Sequence, residues 1–284
     1  MLLLEPERLG TTTLPDGRRL GWSEWGPADG VPVLFCAGAG WGRRLGFGTE
    51  ELARLGIRLI GLDRPGIGGS SPAPDHTLLD WAEDVRALDL SGCAVVGFSQ
   101  GAPFAFACAA AGLATAVAIV SGGDELAHPA FTDALPEQVR DLVDLAANDP
   151  AAAAAAVAAF ADPDTMLRLS VEMSPPVDRA VYGSPEFDSA FRGALTDGFA
   201  QGPGGYVHDT VAHLSPWPFD VSAIDVPVDL WYGELDANPT HSPDHGATLA
   251  ARLPLARRHL VPDSGGALLW THAGPILETL LTRR

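Results

Sequence analysis

A serine held between two glycines most constrains what this chain can fold into. Gly97-Phe98-Ser99-Gln100-Gly101 follows the apolar run Ala94-Val95-Val96 and precedes Ala102 to Ala111, a stretch of helical composition. Apolar strand, G-x-S-x-G, then helix describes a sharp reversal at the end of a buried strand. The glycines permit close approach of backbone where a Cβ would collide. The serine is left pointing outward at the strand's end, so this local pattern sets one strand, one helix and one candidate nucleophile.

The remaining sequence supplies a sheet for that strand. Short apolar runs at Val33-Cys36, Ile57-Leu62, Ala94-Gly97, Ala116-Val120, Val228-Tyr232 and Arg258-Val261 alternate with helical patterns at Leu45-Leu55, Leu78-Leu88, Gln100-Ala111, near His245-Leu253, and Ala267-Leu281. Gly56 and Gly112 follow two of these patterns as stop signals. Strands alternating with helices predict an α/β fold, a mostly parallel sheet covered by helices on both faces. Arg8 to Trp25, with Pro15-Asp16-Gly17 at its centre, reads as a β-hairpin. From residue 122 to 215 the rhythm breaks into helical patterns, prolines and an alanine tract, Ala151-Ala156, before which Asn148 or Asp149 is placed to cap and Pro150 to open a helix. This predicts a core of residues 1–121 and 216–284 with a mainly helical insertion over 122–215.

Charge narrows the partners. The formal net charge is −18 and all 18 basic residues are arginine. Nucleic acid and anionic membrane surfaces are disfavoured, because both require a basic face. Residues 124–215 hold fifteen acids against four arginines, a field that repels strongly anionic substrates from anything they cover. No apolar run is long enough to span a bilayer. Met1-Leu2-Leu3-Leu4 stops at Glu5-Pro6 with no basic residues before it, so a secretory leader is not expected. Cys36, Cys93 and Cys108 show neither disulfide nor zinc spacing and read as small buried hydrophobes in a reducing compartment. The expectation is a cytoplasmic protein with a small-molecule substrate or ligand and neither metal nor cofactor.

Four motifs then fall in chain order: Cys36-Ala37-Gly38-Ala39-Gly40, Asp63-Arg64-Pro65-Gly66-Ile67-Gly68-Gly69-Ser70, the Ser99 turn, and Gly233-Glu234-Leu235-Asp236. Together they resemble the α/β-hydrolase superfamily, in particular the cap-bearing branch of proline iminopeptidases, esterases and epoxide hydrolases. The resemblance covers nearly the whole chain and implies the α/β-hydrolase fold. It implies Ser99 as nucleophile, the backbone N–H groups of Gln100 and Ala39 as oxyanion donors, and Asp236 as the acid that orients a histidine. Asp63 and Arg64 are expected to hold loops by charge-assisted hydrogen bonds.

Two imidazoles of the family pattern are absent. The glycine-rich loop has Ala37 where relatives have histidine, and the turn after the last strand reads Gly265-Gly266 where the catalytic histidine belongs. A serine hydroxyl without a base is a poor nucleophile at neutral pH. His272 lies too far along the last helix, and His241 and His245 read as residues that cap or begin a helix. His208 and His213, where the insertion returns to the core, and Asp124, in the loop after the fourth core strand, are the candidate substitutes. Trp41, Trp217 and Trp231 are candidates to line a ligand cavity. Three functions remain open on these residues: hydrolysis of a small, largely apolar, non-anionic ester, amide or lactone with an atypical or missing base; a non-hydrolytic cyclisation, elimination or isomerisation in a repurposed pocket; or ligand binding without chemistry. Gly266→His is expected to raise ester cleavage if the base is missing.

Overall fold

The computed structural model describes residues 5–90 and 92–284; the apolar Met1-Leu2-Leu3-Leu4 run lies outside them. Eight strands form one sheet: β1 (Arg8–Thr13), β2 (Arg19–Trp25), β3 (Val31–Cys36), β4 (Ile57–Leu62), β5 (Cys93–Phe98), β6 (Ala114–Val120), β7 (Val228–Gly233) and β8 (Ala256–Val261). The order is β1-β2-β4-β3-β5-β6-β7-β8. Strands β3 to β8 run parallel, and β2 pairs antiparallel with both β1 and β4. The expected hairpin is therefore present, with Gly17 at φ +89° in its turn.

The central strands are buried on both faces, which the two-residue side-chain period makes visible. Val33, Phe35, Val96 and Ala118 pack on one face, against Leu52 of α1 (Thr49–Leu55) and Leu277 of the C-terminal helix. Leu34, Cys36, Val95 and Val117 pack on the other, against Trp81 of α2 (Leu78–Arg86) and Phe106 of α3 (Ala102–Ala110). All three cysteines are buried and free.

Between β6 and β7 lie α4 (Glu137–Asn148), α5 (Pro150–Ala158), α6 (Pro163–Glu172), α7 (Pro176–Tyr182), α8 (Pro185–Gly198) and α9 (Gly204–Leu214). The alanine tract forms α5, with Asp149 accepting from the Ala152 N–H as its cap. After β7 come α10 (Ala247–Arg252), α11 (Leu268–Thr271) and α12 (Ala273–Arg283). No helix among the described residues is long and apolar enough to cross a membrane.

Two expected helices differ. The Leu45–Leu55 pattern becomes helical only at Thr49, because Gly48 at φ +63° turns the chain; Leu45 and Phe47 precede it as buried loop residues. The expected Ala267–Leu281 helix is broken at His272, whose φ of −127° and ψ of 26° are not helical. In both places apolar spacing reported burial rather than helix.

Candidate active site

Strand β5 delivers Ser99 at its carboxyl end. The serine has φ +49°, a left-handed conformation rarely held by a non-glycine residue. Its neighbours explain how the turn closes. A Cβ on Gly97 would stand 2.8 Å from Ala105 Cβ, and one on Gly101 would run into the Cys36 carbonyl oxygen.

Asp236 follows β7, and the loop from Asp236 to His241 decides the chemistry. The Asp236 carboxylate accepts from the Asn238 N–H at 3.2 Å, Asn238 Oδ1 accepts from the Thr240 N–H at 3.0 Å, and His241 N–H returns to the Asn238 carbonyl at 3.1 Å. Two successive side-chain turns thus wind the loop back on itself. His241 arrives beside the residue it left five positions earlier: Nδ1 stands 2.7 Å from Asp236 Oδ2, and Nε2 stands 2.9 Å from Ser99 Oγ. With Asp236 ionised, the network places the proton on Nδ1 and leaves Nε2 to accept from the serine hydroxyl. Burial alone would push the Asp236 carboxyl up. The charge and hydrogen bond of His241, with the Asn238 N–H, outweigh it and hold Asp236 below its ordinary value.

The expectation of a serine without an imidazole is therefore wrong. An imidazole reaches Ser99 from the β7–α10 loop instead of the turn after β8. His241 does not cap α10; Asp244 does, through the N–H groups of Ala247 and Thr248. His245, at φ +52°, directs Nε2 at the Asp236 carbonyl at 3.2 Å.

The other candidate substitutes do not reach Ser99. His208 lies on the face of α9 away from the serine, with Nδ1 3.9 Å from Asp209. The Asp124 carboxylate accepts from the Glu125 N–H and the Ser242 hydroxyl, so it anchors the residue after His241 and makes no bond to the imidazole itself. His213 shares the cavity wall with Ser99, and neither of its ring nitrogens makes a hydrogen bond.

The glycine-rich loop is held by Arg64, as its charge-assisted role predicts. Its guanidinium donates to the carbonyls of Ala37 at 2.7 Å and Gly38 at 2.8 Å, and to Asp209 at 2.6 Å. In a trans peptide the C=O and the following N–H point in opposite directions. Drawing the Gly38 carbonyl toward Arg64 therefore turns the Ala39 N–H away from it. Ala39 lines the same cavity as Ser99 and Gln100. Asp63, next to Arg64, accepts from the N–H groups of Arg43 and Gly69 and pairs with the Arg43 side chain.

The cavity above Ser99 holds about 420 Å³. Trp41, Phe98, Tyr182, Phe187, Phe191 and Trp270 form an aromatic side. Leu142 of α4, Met166 and Leu169 of α6, and Met173 just after it form an aliphatic one. No arginine lines it, and its carboxylates are Asp178 and Asp236. Of the three tryptophans singled out from sequence only Trp41 is here. Trp217 packs on Phe106 and Phe219, and Trp231 stacks on His259 at 4.0 Å.

A model of the Alpha/beta hydrolase family matches residues 33–279. The chain belongs to that family. It is 36% identical over 103 residues to the non-heme chloroperoxidase of Streptomyces lividans, a match covering 33% of this chain and 36% of that protein. The chain thus spans about a third of the length of the curated relatives it matches. Among solved structures it resembles a hydrolase from Pseudomonas aeruginosa PA01, with TM-score 0.70 and 18% identity over 97% of this chain and 98% of that one. A bromoperoxidase from Bacillus anthracis gives TM-score 0.69 and 18% identity over 97% and 100%. At such identities the likeness is one of fold. In this alpha/beta hydrolase the turn after β8 carries Gly266, whose added Cβ would lie 3.3 Å from both Asp236 carboxylate oxygens and from His241 Cε1. Position 266 therefore borders the same carboxylate, and the glycine leaves room for an imidazole that enters from another loop.

Two buried groups flanking the site make opposite demands on pH. Burial, reinforced by the charge of His241, pushes the His213 imidazole down to about 4. Burial pushes the Asp124 carboxyl up to about 6. For His213 the unfolded chain binds its proton near pH 6.5 and the folded chain only near 4, so stability present above 6.5 is lost as pH falls to 4. For Asp124 the folded chain takes up the proton first, so a penalty present above pH 6 is relieved as pH falls toward 3.8. Each is on the order of 3 kcal/mol, with opposite sign. Single variants separate them. Relative to the parent, Asp124→Asn is expected to lose stability between pH 7.5 and 4.5, and His213→Leu to gain it, in urea titrations at the two pH values. Parallel shifts in both variants would refute the assignment.

Proposed function

We propose that this chain is a serine hydrolase acting on a small, largely apolar, non-anionic carbonyl compound, an ester, amide or lactone. The observation that carries the proposal is the unbroken relay from Ser99 Oγ through His241 to Asp236 at 2.9 and 2.7 Å. Ser99 Oγ attacks the carbonyl carbon while His241 Nε2 takes its proton. Asp236 holds the ring in the required tautomer and favours the imidazolium. The N–H groups of Gln100 and Ala39 receive the developing oxyanion, a contribution of roughly 3 kcal/mol per donor in related chemistry. His241 returns its proton to the leaving group, and water then releases the acyl group by the same steps in reverse roles. An apolar wall without arginine, under an acidic insertion, favours neutral substrates over anionic ones. The non-hydrolytic and purely binding readings were motivated by a missing imidazole, and His241 removes that motive.

The test is covalent labelling with a fluorophosphonate, followed by peptide mass mapping. Adduct on Ser99, absent in Ser99→Ala, together with cleavage of short aryl esters that puts oxygen from labelled water into the acid product, is the expected result. An unlabelled Ser99 with ester cleavage no faster than that of Ser99→Ala would defeat the proposal.

A further inference from the structure

The Gly265-Gly266 turn after β8 is gripped from the inserted segment between β6 and β7. Asp178 projects from α7, and its carboxylate accepts from the Gly266 N–H at 2.6 Å and the Ala267 N–H at 3.1 Å. It is 3% exposed and lines the cavity with Ser99, Asp236 and His241. The site is shaped to receive it: a Cβ on Gly265 would collide with Asp178 Oδ2 and stand 2.6 Å from its Cγ and from Pro175 Cγ. Gly266, held by Asp178 through its N–H, faces the Asp236 carboxylate and His241 Cε1, each of which an added Cβ would meet at 3.3 Å. Both carboxylates therefore flank one glycine, and the imidazole rests against it.

We infer that Asp178 is a positioning residue for the base: it fastens α7 to the turn that backs His241 and sets a second buried carboxylate in the same cavity wall as the imidazole. This rests on reading Ser99, His241 and Asp236 as the catalytic relay. Ionised, Asp178 offers acceptors to both N–H groups, which a neutral amide cannot do, since its NH₂ would face one of them. The groups facing it are Asp236, His241 and the two N–H groups of the core, with Tyr182 on its own helix. Arg179, its neighbour in sequence, turns away and donates to the Ser174 carbonyl. Among the described residues no basic side chain pairs with this carboxylate, whose bonds go to the two N–H groups. Burial pushes the Asp178 carboxyl up, and the two N–H donors act against that.

Asp178→Asn tests this. The acid limb of kcat/KM is expected to move about half to one pH unit lower, and kcat to fall about tenfold with KM for a small aryl ester little changed. The His241 resonance in ¹⁵N-histidine-labelled protein, assigned with His241→Asn, is expected to titrate lower by the same amount. Asp178→Glu keeps the charge and is expected to keep the limb near its parental pH. Gly265→Ala, which displaces the carboxylate without removing it, is expected to lower kcat and provides a second variant if Asp178→Asn does not fold. An unshifted limb and unshifted His241 titration in Asp178→Asn would overturn the inference, even with reduced kcat, because that pattern marks a purely structural contact. The resonance titrates whether or not the enzyme turns over. Failure of Ser99 to label would therefore count against the proposed function and leave this measurement decisive.

Discussion

Replacing His241 by alanine is expected to lower kcat/KM for a small ester by about four to six orders of magnitude, the scale on which serine hydrolases respond to loss of the base. Among the described residues the imidazole is the sole hydrogen-bond partner of Ser99 Oγ, and the side chain of His241 is 8% exposed, so bulk water cannot readily stand in for it. Ser99→Ala should fall to the same floor, and the double variant no further, because the two residues act as one unit. Asp236→Asn should cost somewhat less, about 10⁴-fold, since the ring remains in place in the wrong tautomer. Steady-state kinetics and the rate of fluorophosphonate labelling read the same loss independently, with circular dichroism to show that the fold is kept. A His241→Ala enzyme retaining more than a tenth of parental activity would place the base elsewhere. His213 would be the first residue to examine, since it shares the cavity wall.

Much of this site could be read from residues alone, and the part that could not has a physical reason. Gly97 and Gly101 announce the turn because close packing against Ala105 and the Cys36 carbonyl admits nothing larger, a local constraint that leaves a local signature. Asp236 is marked by its place after an apolar strand, and Arg64 by its motif. His241 carries no such mark. Its place is set by two side-chain turns, at Asp236 and Asn238, and by the depth to which the loop folds back over β5, which is a tertiary fact. The Asn238-Pro239 dipeptide was the available clue, since it favours a turn and a turn there brings a residue at position 241 back toward 236. The family spacing points to Gly266, after the last strand, and carries no information about a histidine in the β7–α10 loop. Asp178 was less legible still: its partners lie 88 and 89 residues away, and nothing in the helical pattern of α7 distinguishes it from a solvated acid. Leu45 and Phe47 make the complementary point, because apolar spacing recorded their burial while Gly48 decided where the helix could begin.

The two possible origins of the base can be set against each other in one protein. With the imidazole absent, Gly266→His would be a repair. With His241 in place, it is expected to lower kcat/KM about tenfold, because two rings would compete for one carboxylate and each holds the serine less well. The Cβ itself is already tight, at 3.3 Å from the Asp236 oxygens and His241 Cε1, so these must give slightly, while Gly266 does not require a left-handed backbone; the ring adds the larger conflict. Removing His241 clears that conflict. In a His241→Ala background, Gly266→His is expected to recover about 10² to 10³ of the lost activity, short of the parent because the turn is shaped around Asp178 and not around an imidazole. Kinetics of the four enzymes form a double-mutant cycle whose coupling term has the sign of compensation. Additive losses would mean that position 266 cannot present a ring to Ser99 at all. A single Gly266→His variant faster than the parent would mean that His241 is not the working base, and the hydrogen bond between it and Ser99 would then need another explanation.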